Sequence, residues 1–313
     1  MVAGQGLTGA PPRIYTLFGS VARDASHRAG HLARIAGLGF DWVCWSDLSA
    51  KRDNAKLAHL AREAEAANLK LMLETASTDT AGFIEALRAG VSGFLATAAG
   101  DHAASDWRRI LAAVRAEAPA AVFAGEALGR PWEETLGIAA SGFDYMINSA
   151  AWWDLRQAWF LRQQYALSEL VATLASPEPL HGSRLAHRLM NVRPDDRKAI
   201  FRAHYLLASV VSSGIICPMG YEVASAATFD GTGHAEGDWD AAKAQAPFDL
   251  SDDIARINRL KASAPVLAGE GRLRLASAPG APVLALVRTS EAAPGEAACL
   301  LVNATSDERD PPP

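Results

Sequence analysis

Three carboxyl side chains close short apolar runs, where a chain of alternating strands and helices presents its strand ends together. Glu126 follows AVFAG (121–125), Glu74 follows LKLML (69–73), and Asp47 stands just past FDWVCW (40–45). Carboxyls so placed can give or take a proton when burial and neighbouring charge tune them. Glu74 and Glu126 are a candidate acid–base pair, which requires both in one cleft within about 10 Å. His181, in PEPLHGSRL (177–185), offers a hydrogen-bonding ring, with a packed core role equally open. GVSGFLATAAG (90–100) is the contrasting case, with no charged residue before Asp101. Thr97 could attack only with a base beside it, and its neighbours supply none.

The elements that would position these groups repeat as apolar run, then amphipathic helix. Strands are expected at 13–18, 40–45, 69–73, 93–96, 121–125, 143–148, 176–181 and 214–220, the seventh weakened by two prolines. Helices are expected between them, including a long one over 154–175 and a last one capped by Ser251. Eight such units in about 250 residues is the arithmetic of a (β/α)8 TIM barrel. GSVARDA after the first strand lacks the glycine pattern of a dinucleotide-binding turn, and no other motif calls for a cofactor. After Pro265 three Gly/Pro-separated strands, 273–278, 282–288 and 297–303, predict a short, incomplete antiparallel β domain. The expected organisation is a tail over 1–12, the barrel over 13–265, the β segment over 266–304 and a loose tail over 305–313.

The chain has 313 residues, is half apolar and carries a formal charge of −5. That composition fits a globular α/β protein and gives no basic patch for nucleic acid. No apolar stretch is long enough to span a membrane, and the first residues lack a secretory pattern. Cys44, Cys217 and Cys299 form no close pair and read as thiols of a reducing, cytoplasmic protein. Asp230, His234, Asp238 and Asp240 in FDGTGHAEGDWD (229–240) match no metal spacing, so no metal is expected and the stretch reads as a loop at the barrel mouth.

Five segments in order carry a family resemblance. GVSGFLATAA resembles the fourth-strand segment of glycoside hydrolase family 13, the α-amylase clan, where Gly-Val-x-Gly-Phe-Arg-x-Asp-Ala-Ala is the pattern. Gly90, Val91, Gly93, Phe94, Ala98 and Ala99 match, while Leu95 replaces the arginine and Thr97 the nucleophilic aspartate. VFAGEALG (122–129) looks like the fifth-strand segment, and Glu126 keeps the general acid/base. GFDYMINSAAWWD (142–154), PEPLHGSRL and PMGYE (218–222) resemble the α-1,4-glucan:maltose-1-phosphate maltosyltransferase branch. Gly182 occupies the place of the transition-state aspartate. The third-strand segment, LETASTD (73–79), lacks that family's Asn-His.

The resemblance implies a barrel of α-glucan metabolism whose retaining chemistry is impaired. Retention needs a nucleophile about 5–5.5 Å from the acid/base, and Thr97 and Gly182 remove two of three carboxylates. Glu126 is then either a remaining acid/base or a relic. Glu74, Trp152, Trp153, His181 and Arg184 are the candidate substrate contacts, the indoles as stacking platforms. The implied role is glucan binding or scaffolding, toward a maltooligosaccharide, an active maltosyltransferase domain or a second copy of the chain. The alternatives are an active glycosyltransferase or hydrolase using Glu126 with a rearranged carboxylate, and a purely structural barrel.

Overall fold

A computed structural model describes residues 10–19, 21–22, 24–46, 53–153, 155, 159–227, 229, 236–278 and 281–303. Eight parallel strands close into a barrel in sequential order: β1 (Arg13–Phe18), β2 (Trp42–Ser46), β3 (Lys70–Thr75), β4 (Gly93–Ala96), β5 (Val122–Gly125), β6 (Tyr145–Ile147), β7 (Ala172–Ala175) and β8 (Gly214–Cys217). Helices α1 (Ala25–Gly37), α2 (Asn54–Ala66), α3 (Thr80–Arg88), α4 (Ala104–Glu117), α5 (Trp132–Ala139) and α6 (Trp159–Ser168) each follow the strand of the same number. The short α7 (Leu185–Arg188) and the long α8 (Pro194–Val211) lie between β7 and β8, and α9 (Glu236–Ala244) and α10 (Ser251–Ser263) come after β8. This is the fold class that the alternation predicts.

Period-two alternation sorts each strand into an inner and an outer face. Ile14, Met72, Leu95, Ala124, Leu174 and Ile216 fill the barrel interior. Phe94 and Phe123 point outward instead and meet Phe83 of α3, with ring centroids 4.7–5.5 Å apart. Gly93 is required by the tight β4–β5 approach, since a Cβ there would lie 2.5 Å from the Val122 carbonyl oxygen. Asp24, Asp53 and Asp79 cap α1, α2 and α3 through their carboxylates, satisfying orphan N–H groups of each first turn.

Four elements depart from the sequence expectation. The seventh strand is Ala172–Ala175, not 176–181, and the preceding helix is Trp159–Ser168 rather than 154–175. Thr173, Leu174 and Ala175 are wholly buried, and a short strand buried on both faces has no alternation to distinguish it from helix. Leu250, not Ser251, holds the cap position of α10, and the Asp249 carboxylate accepts from the Ser251 N–H at 2.7 Å. The second half of 229–240 is helical, because α9 buries Trp239 against His31 and the Arg34 guanidinium. Asp230 and His234 lie outside the described residues.

Beyond the barrel, β9 (Arg272–Leu275), β10 (Val283–Thr289) and β11 (Ala297–Asn303) form a separate antiparallel sheet in the order β11-β10-β9. Arg288 of β10 is fully buried and donates to the carbonyls of Val210, Ser212, Val266 and Gly269. Lys261 of α10 donates to Ser209 and Ser212 at 2.7 and 2.9 Å. Two cations therefore close the carbonyl end of α8, where the helix dipole favours positive charge. Among the described residues no helix is long and apolar enough to cross a membrane.

Candidate functional site

Three candidate positions share one construction. Met72, Leu95 and Ala124 face the barrel interior, and Glu74, Thr97 and Glu126 each stand two residues further on. Alternation keeps them on the inner side, one level nearer the carboxyl ends of the strands. Backbone bonds continue the ladder at this level, from Thr97 N to the Thr75 carbonyl at 3.1 Å and from Glu126 N to the Ala96 carbonyl at 2.9 Å. The mouth thus brings Glu74 and Glu126 together from chain positions 52 residues apart.

His181 joins them from the loop after β7. Its Nε2 lies 2.8 Å from Oε1 of Glu74, whose side chain is 2% exposed against 37% for the imidazole. Glu126 is half-buried, and its Oε2 is buried without a hydrogen-bond partner. Burial pushes its carboxyl above the ordinary carboxylate range, Glu74's negative charge pushes the same way, and His181 opposes both. A carboxyl kept protonated to higher pH can donate to a bound oxygen.

The surroundings of Leu95, Thr97 and Gly182 are structurally explicit. Leu95 is fully buried in the interior cluster, where an arginine would bury a charge among Met72, Ala124 and Leu174. The Thr97 hydroxyl faces the Thr75 carbonyl at 3.5 Å, an acceptor that cannot serve as its base. Gly182 is exposed at φ +93° with open space around a notional Cβ. Any side chain at that position is strained by its backbone alone.

Arg184 does not reach the cleft. It is 1% exposed, pairs with Glu178 at 2.7 Å and donates to the Met219 carbonyl at 3.0 Å. Glu178 also accepts from Leu185 N at 2.7 Å, and Ser176 donates to the Glu178 carbonyl. These bonds close 176–185 into a buttressed loop that holds His181 out toward Glu74. Glu178 was not legible as its anchor, because nothing in PEPLHGSRL separates a buried glutamate from an exposed one.

Trp152 ends a 3-10 turn with half its surface exposed, while Trp153 is half-buried, stacks on Phe160 at 5.0 Å and donates to Ser149 Oγ at 2.9 Å. Trp153 lines a cleft beside the mouth with Leu128, Arg130, Trp132, Asn148 and Gln163. Trp132, the first residue of α5, had no motif to mark it. Asp47 lies outside the described residues. Among the described residues no three His, Cys, Asp or Glu side chains are grouped to hold a metal ion.

No family model matches the chain. Over 219 residues it is 34% identical to the α-1,4-glucan:maltose-1-phosphate maltosyltransferase of Burkholderia pseudomallei, covering 69% of this chain and 19% of that protein. The chain thus spans about a fifth of the length of this relative. An Anoxybacillus α-amylase superposes with a TM-score of 0.73 at 12% identity, over 94% of this chain and 87% of that one. A cyclic α-maltosyl-(1→6)-maltose hydrolase from Arthrobacter globiformis gives 0.67 at 14% identity, over 93% and 90%. At such identities these structures establish the shared fold.

Proposed function

We propose that this chain, an α-amylase-like barrel of the glycoside hydrolase family 13 type related to the maltosyltransferases, binds α-glucan without carrying out retaining glycosyl transfer. The observation that carries this reading is Leu95, sealed into the apolar interior beneath Thr97. A nucleophilic carboxylate there would need a positive partner to stay ionised, and the interior has no room for one. Glu126 keeps its place but has no nucleophile opposite it. The chain acts in α-glucan metabolism as a binding or scaffolding module in the cytoplasm, beside an active maltosyltransferase domain or as a homo-oligomer.

A second reading has one observation in its favour. The unpartnered oxygen of Glu126 sits within electrostatic reach of Glu74, as a rearranged acid–base pair requires. Against it, Glu74 is buried and engaged by His181, which leaves little access for an attacking water.

Incubation with maltose-1-phosphate and a maltooligosaccharide acceptor separates the readings. The expected result is calorimetric binding of the oligosaccharide at millimolar concentration and no chain extension. Extension that vanishes in Glu126→Gln would establish the active alternative. No heat at millimolar ligand would leave only a structural barrel.

A further inference from the structure

We infer that the cleft between α5 and α6, beside the barrel mouth, is a binding site for one neutral glucosyl unit of an α-glucan chain. This rests on the glucan-binding reading above and gives it a location outside the degenerate centre. The cleft combines two indoles with amides and a guanidinium: Trp132 and Trp153 with Asn148, Gln163 and Arg130.

Its floor is rigid. Asn148 is 5% exposed and fully engaged, donating to Gln164 and to Ser212, each at 2.9 Å, and accepting from Ala150 N at 3.1 Å. Trp153 is oriented by its bond to Ser149, and Ser149 donates onward to Gln163 Oε1 at 2.9 Å. That relay fixes the Gln163 amide with its carbonyl turned inward. Its NH2 group makes no bond to protein among the described residues and is available to a ligand oxygen.

The chemistry selects the ligand class. An anion is disfavoured, because Arg130 is the cation of the lining and is already paired with Asp101. A purely apolar ligand would desolvate the Gln163 amide without replacing its bonds. A pyranose ring has an apolar C–H face for an indole and hydroxyls at its edge for an amide. Ala127, directly after Glu126 in the chain, lines the cleft, which places the cleft next to the mouth.

The test is titration calorimetry with maltoheptaose on the wild-type chain and on Gln163→Ala, Trp132→Ala and His181→Ala, each checked for an unchanged circular-dichroism spectrum. The inference expects at least tenfold weaker binding in Gln163→Ala and in Trp132→Ala. Gln163→Glu is the second variant should Trp132→Ala misfold, and it is expected to weaken binding by removing the NH2 donor. Wild-type affinity in Gln163→Ala and Trp132→Ala, with loss in His181→Ala, would place the sugar at the mouth and overturn the inference while glucan binding stands. Absence of heat from the wild-type chain would instead remove the functional reading itself.

Discussion

Two buried polar regions of this molecule are built on opposite terms. Where the three-stranded sheet docks, each charge is matched: Arg288 holds four carbonyls, Lys261 holds two, and Glu270 accepts from Thr173 N at 2.7 Å. Burial pushes the Lys261 ammonium well below its ordinary range and the Glu270 carboxyl above it, yet both have partners. At the barrel mouth, Glu126 keeps an unpaired buried oxygen, and Leu95 plugs the interior beneath Thr97 with an apolar side chain. Saturated polar groups hold a fold together, whereas an unsatisfied one is what a site retains for, or from, a ligand. The comparison makes the dock a structural joint and the mouth the candidate site.

The largest effect that tests this contrast is at the dock. Arg288→Met strands the Val210, Val266 and Gly269 carbonyls, Lys261 still serving Ser212, and should lower stability by about 3–5 kcal/mol in urea unfolding. A loss below about 1 kcal/mol would mean that the joint is not saturated as described. Next comes the plug. Leu95→Arg places a charge in the fully buried interior and should lose about 3 kcal/mol or more. Adding Thr97→Asp should recover part of that loss by pairing the charge, and a tolerated single arginine would show that the seat remains open.

Gly182→Asp should be milder, at about 1–2 kcal/mol, because φ +93° strains any side chain while nothing crowds it. Its denaturation midpoint isolates the backbone contribution. An aspartate there is also expected to bring no glycosyl-transfer activity by itself, since the loop follows a path that favours glycine.

The smallest effect is at Glu126. Its carboxyl is raised in the folded chain, so the native state holds its proton to higher pH than the unfolded state, which titrates at about 4.3. The contribution of this group to stability is therefore full below that pH, falls as pH rises through the folded value, and is level beyond it. Glu126→Gln removes the fall and should change stability at pH 8 by less than about 1 kcal/mol. Thermal melts of both proteins from pH 4 to 8 measure the difference, and parallel curves would mean that the carboxyl is not desolvated.

Much of the barrel was legible because parallel strands and amphipathic helices write different periods into the chain. β1 and β4 lie at their expected bounds, 13–18 and 93–96. β7 was not legible, since VATLA carries no period and adjoins a helix of similar composition. At the site, Glu74, Glu126 and His181 could be named from strand ends and motif matches. Arg184 could not be assigned, because an arginine that matches a motif reads the same whether it faces a sugar or a buried Glu178.

By itself the sequence determined the barrel, the order of its strands and the absence of charge at positions 95, 97 and 182. Those depend on residue type and local spacing, which a chain carries in one dimension. Only the tertiary structure decided that His181 reaches Glu74, that Glu178 withdraws Arg184 from the cleft, and that Trp132 and Trp153 line one cleft. Each of those meetings joins residues brought together by barrel closure or by a loop folding back on itself. Hydrophobic burial drives that closure without direction, so the partners are set by where the whole barrel comes to rest rather than by any local pattern.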